Sequence, residues 1–117
     1  MNEREKEISG YWEGGAIGGF NFYPLNLARA ALLQGAETDA EEKGLKITSA
    51  DRTIVAMAIY NLVDLDADNH PADFEKLKAR AVDKGLGRLT MAEVDQFSKG
   101  FSQDVNALLA SASEALE

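Results

Sequence analysis

The chain has 117 residues, with 20 acidic against 12 basic side chains for a net charge of −8, and no cysteine. That length fits one domain able to bury its own core without cross-links. The missing thiol excludes disulfide scaffolds, cysteine-ligated zinc, iron–sulfur clusters and thiol catalysis, and the acidic field argues against direct binding to a nucleic-acid backbone.

Gly10, Gly14, Gly15, Gly18 and Gly19 crowd the first twenty residues. Glycine at that density disfavours a helix, so Ser9–Asn21 reads as a loop or loosely structured arm. Its region holds Tyr11, Trp12, Phe20, Phe22 and Tyr23, too many rings for an idle tail. They are expected to fold back onto the core or to meet a partner. Gly14–Gly19 lacks a Walker lysine and fits no dinucleotide spacing, so it does not read as a phosphate loop. The charged stretch Met1–Glu7 lacks the apolar core of a secretory signal. The uncharged run Gly14–Ala28 falls short of the ~20 apolar residues a membrane span needs. The expected location is the cytoplasm, with no membrane partner.

Pro24 suits the first position of a helix, and Leu25, Leu27, Ala28, Ala31 and Leu32 mark one apolar face to about Gly35. Ala36–Gly44 is acidic and polar, a natural linker. Thr48, Ser49 and Asp51 have the chemistry of helix caps. The run from Ile54 to Val63 is the most apolar segment and is expected to form the central helix. Asp64–His70 interrupts the pattern. Pro71 restarts it, Phe74, Leu77, Ala81 and Val82 recur at helical spacing, and Gly85 and Gly87 stop it. Thr90 and Glu93 form a capping box for a short helix carrying Val94 and Phe97. Ser102 is expected to cap a last helix with Val105, Leu108, Leu109, Ala112 and Leu116 along one stripe. The expected fold is all-α: one domain of four to five packed helices at 24–117 behind a Gly/aromatic-rich N-terminal arm at 1–23.

The segment Asp64-Leu65-Asp66-Ala67-Asp68-Asn69-His70-Pro71-Ala72-Asp73-Phe74-Glu75 has the length and acid spacing of an EF-hand loop. Asp64, Asp66, Asp68 and Glu75 stand at its first, third, fifth and twelfth positions. A hard cation needs several carboxylate oxygens converging from one turn, and alternating acids followed by a distal glutamate supply them. Asn69 replaces the usual glycine, Pro71 cannot donate a backbone N–H, and Ala72 offers no side-chain oxygen. The competing reading is that Asp68, Asp73 and Glu75 serve only the start of the following helix. Gly87–Val94 resembles the back half of a second such loop, but Val82, Lys84 and Leu86 stand where acids are needed. His70 is the only histidine. It is a candidate for catalysis or haem ligation, with no nucleophile motif beside it.

Three segments together resemble the caleosin family, EF-hand-containing lipid-body proteins and peroxygenases. Ile17-Gly18-Gly19-Phe20-Asn21-Phe22 is similar to the family's glycine–Phe–Asn lead into an apolar, proline-containing segment. Asp66-Ala67-Asp68 with Phe74-Glu75-Lys76-Leu77 is similar to its acidic turn and following helix. Leu89-Thr90-Met91-Ala92-Glu93 is similar to its later Leu-Thr-x-x-Glu turn. The resemblance implies a calcium site, haem held by two histidines and attachment to lipid droplets. With one histidine, this chain cannot supply both haem ligands. Its apolar segment is short, and its acidic loop follows that segment instead of preceding it. No catalytic residue carries over.

The function expected from the residues is a small acidic binding or regulatory module, more a binder than an enzyme. Calcium is its expected ligand at 64–75, and a protein its expected partner, with self-association open. Two other readings stand beside it. One is a small haem- or lipid-binding protein or enzyme with a pocket under the N-terminal aromatics. The other is an acidic inhibitor or immunity-type protein that covers a basic partner surface.

Overall fold

The computed structural model describes residues 10–62 and 72–116, with side chains through Ala110. A hairpin of β1 (Gly15–Ile17) and β2 (Phe20–Phe22) precedes four helices: α1 (Leu27–Glu42), α2 (Ser49–Tyr60), α3 (Phe74–Lys84) and α4 (Met91–Leu116). A 3-10 turn at Leu86–Arg88 joins α3 to α4. The fold is all-α apart from this one two-stranded sheet among the described residues.

The hairpin corrects the expectation of a loop through Asn21. Gly15 pairs with Phe22, Ala16 with Asn21 and Ile17 with Phe20. Gly18 and Gly19 take φ of +60° and +84°, the positive pair that a primed two-residue turn requires. Alternation then sends Ile17 and Phe22 into the core. The two glycines are not equivalent. A Cβ on Gly19 meets open space, whereas one on Gly18 would collide with Leu89 and the Glu93 carboxylate. Gly19→Ala is expected to lose about 1 kcal/mol, the usual left-handed penalty, and Gly18→Ala clearly more. Urea midpoints of the two variants check that order.

Helix α1 begins later and runs further than its expected span. Asn26 is its N-cap, accepting the Arg29 N–H at 2.8 Å. The stretch expected as a linker, Ala36–Gly44, is helical as far as Glu42. The reason lies in the apolar stripe, which Arg29, Leu32, Ala36 and Ala40 continue at helical spacing, all buried. Helix α2 carries the expected capping box: Thr48 accepts from the Asp51 N–H, and Asp51 accepts from the Thr48 N–H. Its second half, Val55–Tyr60, is buried on every face. Ile59 packs with Leu32, Leu62, Phe74 and Leu77, while Tyr60 packs with Phe22, Leu86 and Phe97. The helix therefore separates two apolar clusters and serves both. Helix α3 is capped by Asp73 and ended by Gly85 in the left-handed conformation.

The two helices expected after Thr90 are one helix of 26 residues. Ser102 is exposed in its interior and does not cap it. Gly100, which costs about 1 kcal/mol relative to alanine in a helix, is tolerated because it makes room. A Cβ there would overlap the Trp12 indole.

Candidate functional site

Asp64, Asp66, Asp68 and His70 lie outside the described residues, so four positions of the sequence reading have no structural account. Glu75 is described. It sits exposed in the first turn of α3, one residue after Phe74. The ends of the acidic segment are both tied down. Before it, Asn61 caps α2 and donates from Nδ2 to the Asn21 carbonyl at 2.8 Å. Leu62 is 2% exposed, and its carbonyl accepts from Arg29 Nη2 at 2.5 Å. After it, Asp73 accepts the Lys76 N–H at 3.0 Å and the Lys43 ammonium at 3.3 Å. The Lys76 N–H, then Lys43, hold its carboxyl below the usual carboxylate range. Asp39 accepts the Phe74 N–H at 3.1 Å, which fastens the end of α1 to the start of α3. Among the described residues no three His, Asp or Glu side chains gather as a metal cluster.

The Gly87–Val94 fragment is accounted for by capping. Glu93 accepts the Thr90 N–H at 2.9 Å and Thr90 Oγ1 accepts the Glu93 N–H at 3.2 Å.

The aromatic residues expected to contact a partner divide by burial. Phe22 is 2% exposed and packs with Phe97 at 5.1 Å between ring centroids. Trp12 is half-buried, with centroids 5.6 Å from Phe97, 5.8 Å from Tyr60 and 6.3 Å from Phe22. These rings fold back onto the domain. Phe20 is half-buried against the same cluster, Tyr23 is half-buried beneath Arg29, and Tyr11 is 40% exposed. Beneath the arm, Phe97 meets Tyr60 edge-on at 5.3 Å and stacks on Phe101 at 5.9 Å.

Two residues absent from the expected site organise this region. Asp104 is 1% exposed; its Oδ1 accepts the Trp12 backbone N–H at 2.7 Å and its Oδ2 accepts the Tyr60 hydroxyl at 2.6 Å. The signal for it was available: Asp104 follows Phe97 and Phe101 at seven and three residues, on an otherwise apolar face. Burial, and secondarily the bond to Asp104, push the Tyr60 hydroxyl well above its ordinary 10.0. Arg29 is 4% exposed, donates from Nη1 to the Pro24 carbonyl at 2.9 Å, and lies 5.4 Å over the Tyr23 ring. Its Nε has no acceptor among the described residues. Burial lowers its pKa from the usual value, opposed by Tyr23 and Tyr60.

No helix among the described residues is long and apolar enough to cross a membrane. Comparisons of the chain with family models, with curated proteins and with solved structures return no match.

Proposed function

We propose that this chain is a small acidic binding module of the cytoplasm whose ligand is calcium, held by Asp64, Asp66, Asp68 and Glu75. The observation that carries the reading is the position of Glu75. The twelfth-position carboxylate stands exposed on the first turn of α3, and α3 packs against α2, the helix that precedes the acidic segment. A distal glutamate on an ordered exit helix is what an oxygen-ligand loop uses to close its shell. The donor set fits a hard cation: four carboxylates at alternating and terminal positions, with no nitrogen or sulfur ligand required. The neighbouring Asp73 is engaged as a helix cap and Lys43 partner, which leaves the ligand role to the residues named.

In this reading calcium gathers the negative charges of the segment and biases the packing of α2 against α3, altering the surface shown to a protein partner. Calorimetric titration tests it. Wild type should release or absorb heat on calcium addition, Asp64→Ala/Asp66→Ala should give none, and Glu75→Gln should bind more weakly. A flat titration of folded wild type at millimolar calcium would remove the proposal. Magnesium is the control, since it demands a tighter octahedral shell.

A further inference from the structure

We propose that Lys76, Arg80 and Lys84 on α3 are a docking surface for an acidic helix of a partner protein. Residues 74–88 carry five bases, Lys76, Lys78, Arg80, Lys84 and Arg88, against two acids, Glu75 and Asp83, in a chain of net charge −8. Lys76, Arg80 and Lys84 stand four residues apart and so form one row along the helix. Lys76 and Lys84 are exposed and Arg80 is half-buried. Lys78 lies off the row, and its ammonium pairs with Asp51 at 2.9 Å. Among the described residues, Lys76, Arg80 and Lys84 enter no ion pair.

The row is unfavourable on its own. Like charges at i and i+4 repel, and both the Lys76–Arg80 and the Arg80–Lys84 steps are of that kind. Lys76 lies in the first turn, where the helix dipole disfavours a cation, and only Lys84, in the last turn, suits its place. Carboxylates laid along the row would relieve both effects. The three side chains line a shallow groove with Ala79 and Asp83. Their charges recur about every 6 Å along the axis, the spacing that acids at i, i+4 and i+8 of another helix present. The occupant must also be narrow. Asp83 borders the row and Glu75 stands one residue before it. A nucleic-acid duplex or an anionic bilayer is broader than the row and would press phosphates against those acids, whereas a helix can turn an uncharged side to them. The inference stands apart from the calcium reading, since none of the three residues is a ligand in it.

Titration of the isotope-labelled full chain, with a calcium chelator present, tests it. The probe is an alanine-based peptide of about 17 residues, long enough to hold a helix, with Glu at every fourth position. At low ionic strength it should shift the resonances of Lys76, Arg80 and Lys84 saturably, and less so as salt is raised. Lys76→Gln/Arg80→Gln/Lys84→Gln, which keeps much of each stem, should bind it about tenfold more weakly, the scale of three exposed ion pairs together. Native emission of Trp12, the only tryptophan, shows that this variant is folded. Wild type alone gives the second measurement: a peptide of the same composition with its Glu residues in one block should bind it several-fold more weakly. The absence of any saturable shift at millimolar peptide overturns the inference. So does equal binding of the two peptides by wild type, equal binding of the ordered peptide by wild type and a folded triple variant, or tighter binding of a DNA duplex or a phosphatidylserine vesicle to the row.

Discussion

Replacing Asp104 with alanine is expected to destabilise the chain by about 3 kcal/mol, because two donors lose their acceptor at once. Tyr60 is 0% exposed, and its hydroxyl bonds to Asp104 at 2.6 Å. The Trp12 N–H shares the same carboxylate at 2.7 Å. Truncation leaves a buried hydroxyl unsatisfied and releases the arm, so indole emission should shift to longer wavelength along with the lower urea midpoint. Asp104→Asn separates charge from geometry. An amide oxygen can still accept from Trp12, while the amide nitrogen donates to Tyr60, whose hydroxyl oxygen both donates and accepts. That variant should lose about 1 kcal/mol and keep the native emission. If asparagine costs as much as alanine, the carboxylate's charge matters and the two-donor account is wrong.

The same pair sets an alkaline limit. The Tyr60 hydroxyl titrates above its ordinary 10.0 in the fold, first through burial and then through Asp104. A raised acid is neutral in the native state while the unfolded chain has begun to ionise. Its stabilising contribution is therefore complete below about pH 10 and declines as pH rises past that point, by up to ~1.4 kcal/mol per unit. Tyr60→Phe should lose stability at neutral pH and show a flatter alkaline decline. Asp104→Asn should retain most of the decline, since burial is the larger cause.

The sequence made the apolar skeleton readable because helical spacing survives any tertiary arrangement. Ile54–Leu62, Phe74–Ala81 and the Phe97 row mark buried faces whatever they pack against. Boundaries were less readable where a tertiary contact overrides a local signal. Gly35 suggests a stop, yet α1 passes through it. A Cβ there would press on the Ala72 Cβ, so the glycine permits a close approach rather than ending a helix. Ser102 has the chemistry of a cap, yet α4 continues through it, with Trp12 laid against Gly100 two residues earlier. The hairpin was legible in Gly18-Gly19 between Ala16-Ile17 and Phe20–Phe22, and was obscured by the count of glycines around it. For the candidate site, the acid spacing was visible from residues alone, whereas the helix expected from Pro71 begins at Phe74, because Asp73 caps it, and this is what puts Glu75 in the first turn. The roles of Asp104 and Arg29 were not visible, because a lone charge on an apolar face gives no sign of which distant carbonyls or hydroxyls it will meet.

Arg29 supplies the other large effect. It is a buried cation whose partners among the described residues are two carbonyls and a ring, Pro24 and Leu62 at 2.9 and 2.5 Å and Tyr23 at 5.4 Å. The Tyr23 N–H in turn donates to the Tyr60 carbonyl at 2.8 Å, so the chain leaving β2 and the chain leaving α2 are clamped side by side. Arg29→Ala removes the stem from the core and strands both carbonyls, for an expected loss of about 3 kcal/mol. Arg29→Met tells these causes apart. It keeps most of the buried stem and removes the charge whose burial is costly, so it should lose roughly half as much if the carbonyl clamp matters. Arg29→Lys, a single ammonium in place of a planar fork, should satisfy one carbonyl and fall between wild type and alanine. Denaturation midpoints order the three. Amide exchange gives the local reading: with the clamp lost, the Leu62 N–H, bonded to the Ile59 carbonyl at 3.2 Å, should exchange faster than amides in the middle of α2. A methionine variant as stable as wild type would mean that stem packing alone holds this corner and that the carbonyl bonds contribute nothing net.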